Sequence, residues 1–192
     1  MSVQLRRARE RDRRHQRIIT TARQLAEAAG WDSVTTRRLA EAIEYSQPVL
    51  YSHFQGKNAI IRAVAVEGFA ELATAMRAAR QAASGPQGAL LALARAYLAF
   101  AQANPALYQA MFSLADLPFA QPETPAPVRE GFAEIRQALA ALTENHDLDT
   151  LGEVFWSTLH GLATLTGSHR LRPGHDEDRV TMLIRQLATA GA

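Results

Sequence analysis

From Ile18 to Thr189 the apolar residues recur at spacings of three and four, and the breaks between such stretches carry residues that start or stop helices. Nowhere does a run of Val, Ile and Thr alternate with polar residues long enough to make a strand. The chain is therefore predicted to be all-α, with about nine helices and no internal repeat of the kind that builds a solenoid. A first helix is expected from Asp12 to Ala29, with Ile18, Ile19, Ala22, Leu25, Ala26 and Ala29 on its apolar stripe. A short second helix follows, capped by Thr35 and burying Leu39, Ala40 and Ile43. Ser46 is placed to cap a third, which ends at Phe54 and accepts Pro48 because first-turn amides lack intrahelical partners.

A long helix is expected from about Lys57 to Ala83, then a turn at Ser84 to Gly88, then a helix from Leu90 to Ala101 whose stripe is Leu91, Ala94, Leu98 and Ala101. Asn104 and Pro105 repeat the cap-then-proline pattern. Leu114 to Pro127 holds four of the eight prolines and reads as a loop. Further helices are expected over Pro127 to Glu144, Asp149 to Ser168 and His175 to Thr189, with Gly167 and Pro173 separating the last two.

Composition narrows the function classes. With 47% hydrophobic and 21% charged residues the 192-residue chain is globular in type and large enough for a sizeable core. It has no cysteine, so disulfides, thiolate catalysis and cysteine-ligated metals are excluded. The start of the chain is arginine-rich without an apolar signal segment, and no apolar run is long enough to span a membrane, so a cytoplasmic location with no membrane partner is expected. The net charge of +2 conceals an asymmetry, since residues 1 to 62 hold 12 Arg plus Lys against 6 Asp plus Glu. Seven arginines crowd Arg6 to Arg17, a density that suits a polyanion or serves as a solvated, frayed arm.

Two short helices joined by a tight turn behind a longer supporting helix make a helix-turn-helix, whose second short helix is built to enter a DNA major groove. A helix from Ser46 to Phe54 is too short to stand alone, and Val49, Leu50 and Phe54 can brace it from behind. Gln47, Pro48, Ser52 and His53 then point outward, with Tyr51 at the margin. Gln47 suits an adenine edge, Pro48 a thymine methyl and Ser52 either partner. Tyr51 and His53 suit phosphate oxygens, and Lys57 brings an ammonium to the start of the next helix. Thr36 and Arg37, in the first turn of the second helix, also reach the backbone, and Arg37 can reach a base.

The segment from Ile18 to Phe69, above all "TARQLAEAAGWDSVTTRRLAEA" and "SQPVLYSHFQGK", resembles the amino-terminal domain of the tetracycline-repressor (TetR/AcrR) family of transcriptional regulators. "FWSTLHGLATL" and "NPALYQAMF" resemble the Trp-His-Gly branch of that family. The resemblance implies a DNA-binding domain over residues 1–56 and a helical ligand-binding and dimerisation domain over 57–192. It implies a homodimer paired through the last two helices, a double-stranded palindromic operator, and a small-molecule effector that usually relieves repression; activation or an architectural role is the alternative. For Tyr51, His53 and Lys57 it implies operator-backbone contact, and for Thr36, Arg37, Gln47, Pro48 and Ser52 proximity to bases or flanking phosphates. The sequence departs from the family where Glu44 and Tyr45 replace a glycine and a small aliphatic residue. A positive φ at residue 44 would cost Glu44 about 1 kcal/mol relative to glycine, and Tyr45 either touches DNA or fills the gap between helices.

Met76, Tyr97, Phe100, Tyr108, Met111, Phe112, Phe132, Trp156 and His160 form an aromatic and methionine set suited to lining a mostly apolar effector pocket, or to packing as core. His160 needs a hydrogen-bond partner, either a neighbouring side chain or a ligand. No catalytic, cofactor or metal role is expected. The chain lacks the phosphate-cradling and metalloprotease motifs, and "ENHDLD" and "HRLRPGHDED" read as solvated turns.

Overall fold

The computed structural model describes residues 3–143 and 147–190, and all regular structure in it is helical. The helices are α1 (Val3–Ala29), α2 (Thr36–Ile43), α3 (Gln47–His53), α4 (Lys57–Ala82), α5 (Gly85–Ala103), α6 (Pro105–Gln109), α7 (Ala126–Ala140), α8 (Leu148–Gly167) and α9 (Asp176–Ala190). A 3₁₀ turn at Trp31–Ser33 follows α1, and a π turn at Ala110–Leu114 continues α6. Glu144 and His146 lie outside the described residues; α7 ends at Ala140, short of the expected Glu144.

Two helix starts and two caps differ from expectation. α1 begins at Val3, nine residues before Asp12, so the arginine run is helical rather than a frayed arm. Arginine, glutamine and glutamate are good helix formers, and the Glu10–Arg14 pair at i,i+4 offsets part of the like-charge repulsion. α5 begins at Gly85 rather than Leu90, because Pro86 fits a first helical turn and Gly85, at φ 70°, supplies the entry angle. Its buried face is Leu90, Leu93, Ala94, Tyr97 and Phe100, rotated from the expected stripe, so Leu91, Leu98 and Ala101 are half-buried. Finally, Ser46 and Asn104 precede their helices without capping them through their side chains, whereas Thr35 Oγ1 accepts from the Arg38 amide at 3.1 Å.

The chain forms two compact units. The first comprises Met1–Gly68 and Asn104–Leu117. Its core contains Ile18, Ile19, Ala22 and Ala26 of α1, Leu39 and Ile43 of α2, Leu50, Phe54, and Ile60, Ile61 and Val64 of α4. Leu107 and Met111 complete it, and Gly68 lets them approach α4: a Cβ there would lie 2.7 Å from the Met111 sulfur and 2.8 Å from a Leu107 methyl. The orphan amides at the start of α6 are satisfied from α1, since the Glu27 carboxylate accepts from Ala106 N at 3.0 Å and Leu107 N at 2.9 Å. Trp31 Nε1 donates to the Ala106 carbonyl at 2.7 Å, and Arg23 donates to Asn104 Oδ1 at 2.8 Å.

The second unit comprises Phe69–Ala103 and Pro118–Ala192. Met76, Leu93, Tyr97, Ile135, Leu139, Phe155, Leu159 and Ile184 lie in its core. The carboxylate of Glu134 on α7 is buried there, held by Arg77 Nε at 2.6 Å and Arg80 Nη2 at 2.7 Å from α4. Those guanidiniums oppose the burial penalty, and the carboxyl sits below its ordinary range. Trp156 Nε1 donates to Tyr97 Oη at 3.2 Å and its ring stacks on Phe119.

Because Glu27 caps α6 from another helix, Glu27→Ala is expected to lower unfolding free energy by about 1 kcal/mol, measured by urea denaturation. Glu27→Gln should lose less, since an amide oxygen can still accept from one of the two amides.

Candidate nucleic-acid interface

The seven residues of α3 form too short a helix to persist without packing, and one face supplies it. Leu50 is fully buried and Phe54, at the C-cap, nearly so, while Val49 is half-buried. α1 contributes the backing: the His15 ring stacks on Phe54 with centroids 4.4 Å apart. The opposite edge faces solvent. Gln47, Pro48 and Ser52 are exposed, and Tyr51, although a large aromatic, leaves 52% of its surface in water.

The remaining candidates flank this edge. His53 is half-buried, with its ring centroid 6.1 Å from that of His15. Burial, then His15, Arg11 and Arg14, lower its affinity for a proton. Thr36 is half-buried in the first turn of α2, and Arg37 is exposed with Nε donating to Glu41 at 2.9 Å, which favours its charged form. Lys57 is partly committed, because its ammonium donates to the Trp31 carbonyl at 2.5 Å, leaving two of its three protons for another acceptor. Ser52 Oγ donates back to the Val49 carbonyl at 2.6 Å, so it meets an incoming group as an acceptor.

The turn before α3 has the expected strain. Glu44 lies at φ 59°, ψ 37°, the left-handed region. Its amide bonds the Glu41 carbonyl and the Tyr45 amide bonds that of Ala40, the paired closure of a Schellman motif that glycine usually completes. Tyr45 is half-buried with the Arg17 guanidinium 5.5 Å above its ring centroid, so it fills the gap between α1 and the turn. The sequence reading missed His15 and Arg17 as supports. Their signal was positional: both lie within a turn of Ile18 and Ile19, at the edge of the buried stripe.

The proposed effector residues divide between the units. Tyr97, Phe100, Trp156 and His160 belong to the second, in which Tyr97 and Phe100 are buried and Trp156 and His160 half-buried. Tyr108, Met111 and Phe112 belong to the first, where Met111 is fully buried and the Tyr108 and Phe112 rings lie 4.6 Å apart. Phe132 packs near Gly152 in the second unit. Burial pushes His160 below the ordinary histidine value. Among the described residues no helix is long and apolar enough to cross a membrane.

A short helix braced from behind, reached through a tight turn and exposing a polar edge, defines a helix-turn-helix protein. Residues 18–64 match the family of bacterial regulatory proteins called the tetR family, and residues 90–190 match the tetracyclin repressor-like C-terminal domain. The chain belongs to this family of bacterial regulatory proteins. The segment is 45% identical over 47 residues to the class G tetracycline repressor of Vibrio anguillarum, a match covering 24% of this chain and 22% of that protein. The class C repressor of Escherichia coli is 46% identical over 48 residues, or 25% of this chain and 22% of the relative. Likeness in fold extends further. A protein of unknown function from Rhodococcus sp. RHA1 superposes with a TM-score of 0.79 at 24% identity, over 93% of this chain and 94% of that one. The tetR family regulator PfmR of Thermus thermophilus gives 0.64 at 19% identity, over 90% and 97%.

Two outcomes follow from the geometry. Glu44→Gly should stabilise the chain by about 1 kcal/mol, read from the urea midpoint, since glycine carries no Cβ into the left-handed region. For His160 the folded value is depressed, so the unfolded state binds the proton first. Stability is therefore full above the unfolded value of about 6.5 and declines as pH falls through the folded one. His160→Gln should make the thermal midpoint fall less than the wild type's between about pH 7.5 and pH 5.5.

Proposed function

We propose that the chain is a ligand-responsive repressor that binds a palindromic DNA operator as a homodimer and leaves it when a small, mostly apolar molecule enters the second unit. The observation that carries this reading is the exposed edge of α3, where Gln47, Pro48, Tyr51 and Ser52 stand free of the core that Leu50 and Phe54 anchor. In this reading residues 1–56 bind DNA and residues 57–192 bind the effector and the second copy. Gln47 pairs with a base edge, Pro48 packs on a thymine methyl, and Ser52 accepts from a base amino group. Tyr51, His53 and Lys57 take backbone phosphates, and Thr36 and Arg37 flank them from α2.

The dimer reading is supported by the last two helices. Val154 and Leu165 on α8 and Met182 on α9 are exposed large apolar residues, and Gly161 has open space beyond its Cα. Such faces suit close pairing with the same helices of a second copy. The effector reading attaches to Tyr97, Phe100, Trp156 and His160, whose rings offer an apolar lining with few polar groups. The likeness of "FWSTLHGLATL" to the Trp-His-Gly segment supports reading the chain as a member of that branch of the family.

The test is selection of DNA fragments by the purified protein, followed by titration of the selected operator and its single-base variants. Gln47→Ala is expected to lose discrimination at one symmetric pair of positions by roughly tenfold, the scale of one bidentate base pairing. Tyr51→Phe should weaken operator and unrelated duplex alike. Retention of full base discrimination by Gln47→Ala would remove that residue from the reading edge, and failure to enrich any DNA would overturn the function.

A further inference from the structure

The face of α1 that is buried over the core continues beyond it as a row of arginines. Arg7, Arg11 and Arg14 stand in register with the buried Ile18, at successive spacings of four, three and four residues. The face that is apolar over the core thus becomes cationic toward the amino end of the helix. There, Arg7, Glu10, Arg11 and Arg14 of α1 and Ser52 and His53 of α3 line an open cleft of about 390 Å³. Arg14 is paired with Glu10, whereas Arg7 and Arg11 make no ion pair among the described residues. Three guanidiniums against one carboxylate leave a surplus of positive charge.

We propose that this cleft holds a backbone phosphate of bound DNA, as a contact site that adjoins the base-facing edge of α3 and is built mainly from α1. The proposal rests on the reading of the first unit as DNA-binding. The lining matches a phosphodiester, with guanidiniums able to grip phosphate oxygens in pairs and an imidazole beside them. Its three guanidiniums supply positive charge and paired donors, which fit the oxygens of a phosphate, so the recognised group is the backbone. Its open side admits a strand rather than enclosing a small molecule. Ser52 and His53 belong both to this cleft and to α3, so a strand lying along the outer edge of α3 passes it.

The experiment compares full-length wild-type protein with the pairs Arg7→Ala/Arg11→Ala and Arg7→Lys/Arg11→Lys. Binding to the selected operator and to an unrelated duplex is titrated over about 50 to 200 mM salt. For the alanine pair the slope of log K against log salt should become shallower by about 0.9 for each phosphate that a protomer no longer neutralises. Affinity for both duplexes should fall by a similar factor, roughly tenfold at the lower salt, and the lysine pair should keep most of the slope because it keeps the charge. Far-ultraviolet circular dichroism should be unchanged in either pair, since the positions are exposed and alanine is the strongest helix former.

An unchanged slope in the alanine pair, on DNA that the wild type binds, would remove this site and leave the DNA-binding reading intact. Calorimetric binding of inorganic phosphate to wild type but not to the alanine pair, with the DNA slope unaltered, would reassign the cleft to a small anion and likewise overturn the proposal. A wild-type chain that binds no duplex would remove both readings.

Discussion

The burial of Leu50 and Phe54 against the rest of the first unit is the contact on which everything else depends. Seven residues cannot offset the nucleation cost of a helix in water, so α3 exists only because this face is removed from solvent. His15 stacked on Phe54 extends the backing, and the Arg17–Tyr45 contact fixes the turn through which the chain enters α3. Once one face is committed to packing, the other is determined by helical period, and the polar groups of Gln47 and Ser52 have no choice but to face outward. The exposed ring of Tyr51 follows from the same division.

The first unit is assembled from segments distant in sequence. Residues 104–117 return to α1, where Glu27 caps α6, Trp31 holds the Ala106 carbonyl and Arg23 holds Asn104. Gly68 removes the side chain that would keep Leu107 and Met111 off α4. A displacement of α6 is therefore resisted by α1 and α4 directly, through hydrogen bonds and close packing, and the frame that supports α3 is stiffer than three helices alone would make it.

Much of this was legible in the sequence because helix period, caps and prolines are local signals. Thr35 as a cap and the buried Leu39, Ile43 and Leu50 follow from residue type and spacing, whereas a positive φ at Glu44 was suggested only by the glycine that the family carries there. What escaped depends on partners far along the chain. Asn104 looked like a cap, yet its amide oxygen accepts from Arg23 while Glu27, 79 residues from Ala106, does the capping. The arginine run left a loose arm open as the alternative, because its charge says nothing of whether the backbone below it continues as helix. In the same way, an aromatic composition could not tell that Tyr97 and Trp156 share one unit while Tyr108 and Met111 pack in the other.

A helix whose outer edge meets DNA while its inner face stays packed should change its amide protection on one side of the unit only. Amide hydrogen exchange with and without the selected operator, followed residue by residue, tests this most directly. Added protection concentrated in α2, α3 and the amino end of α1, with α8 and α9 unchanged, is the expected result. Protection confined to α8 and α9, with the exchange of α3 unaltered by DNA that is demonstrably bound, would contradict it.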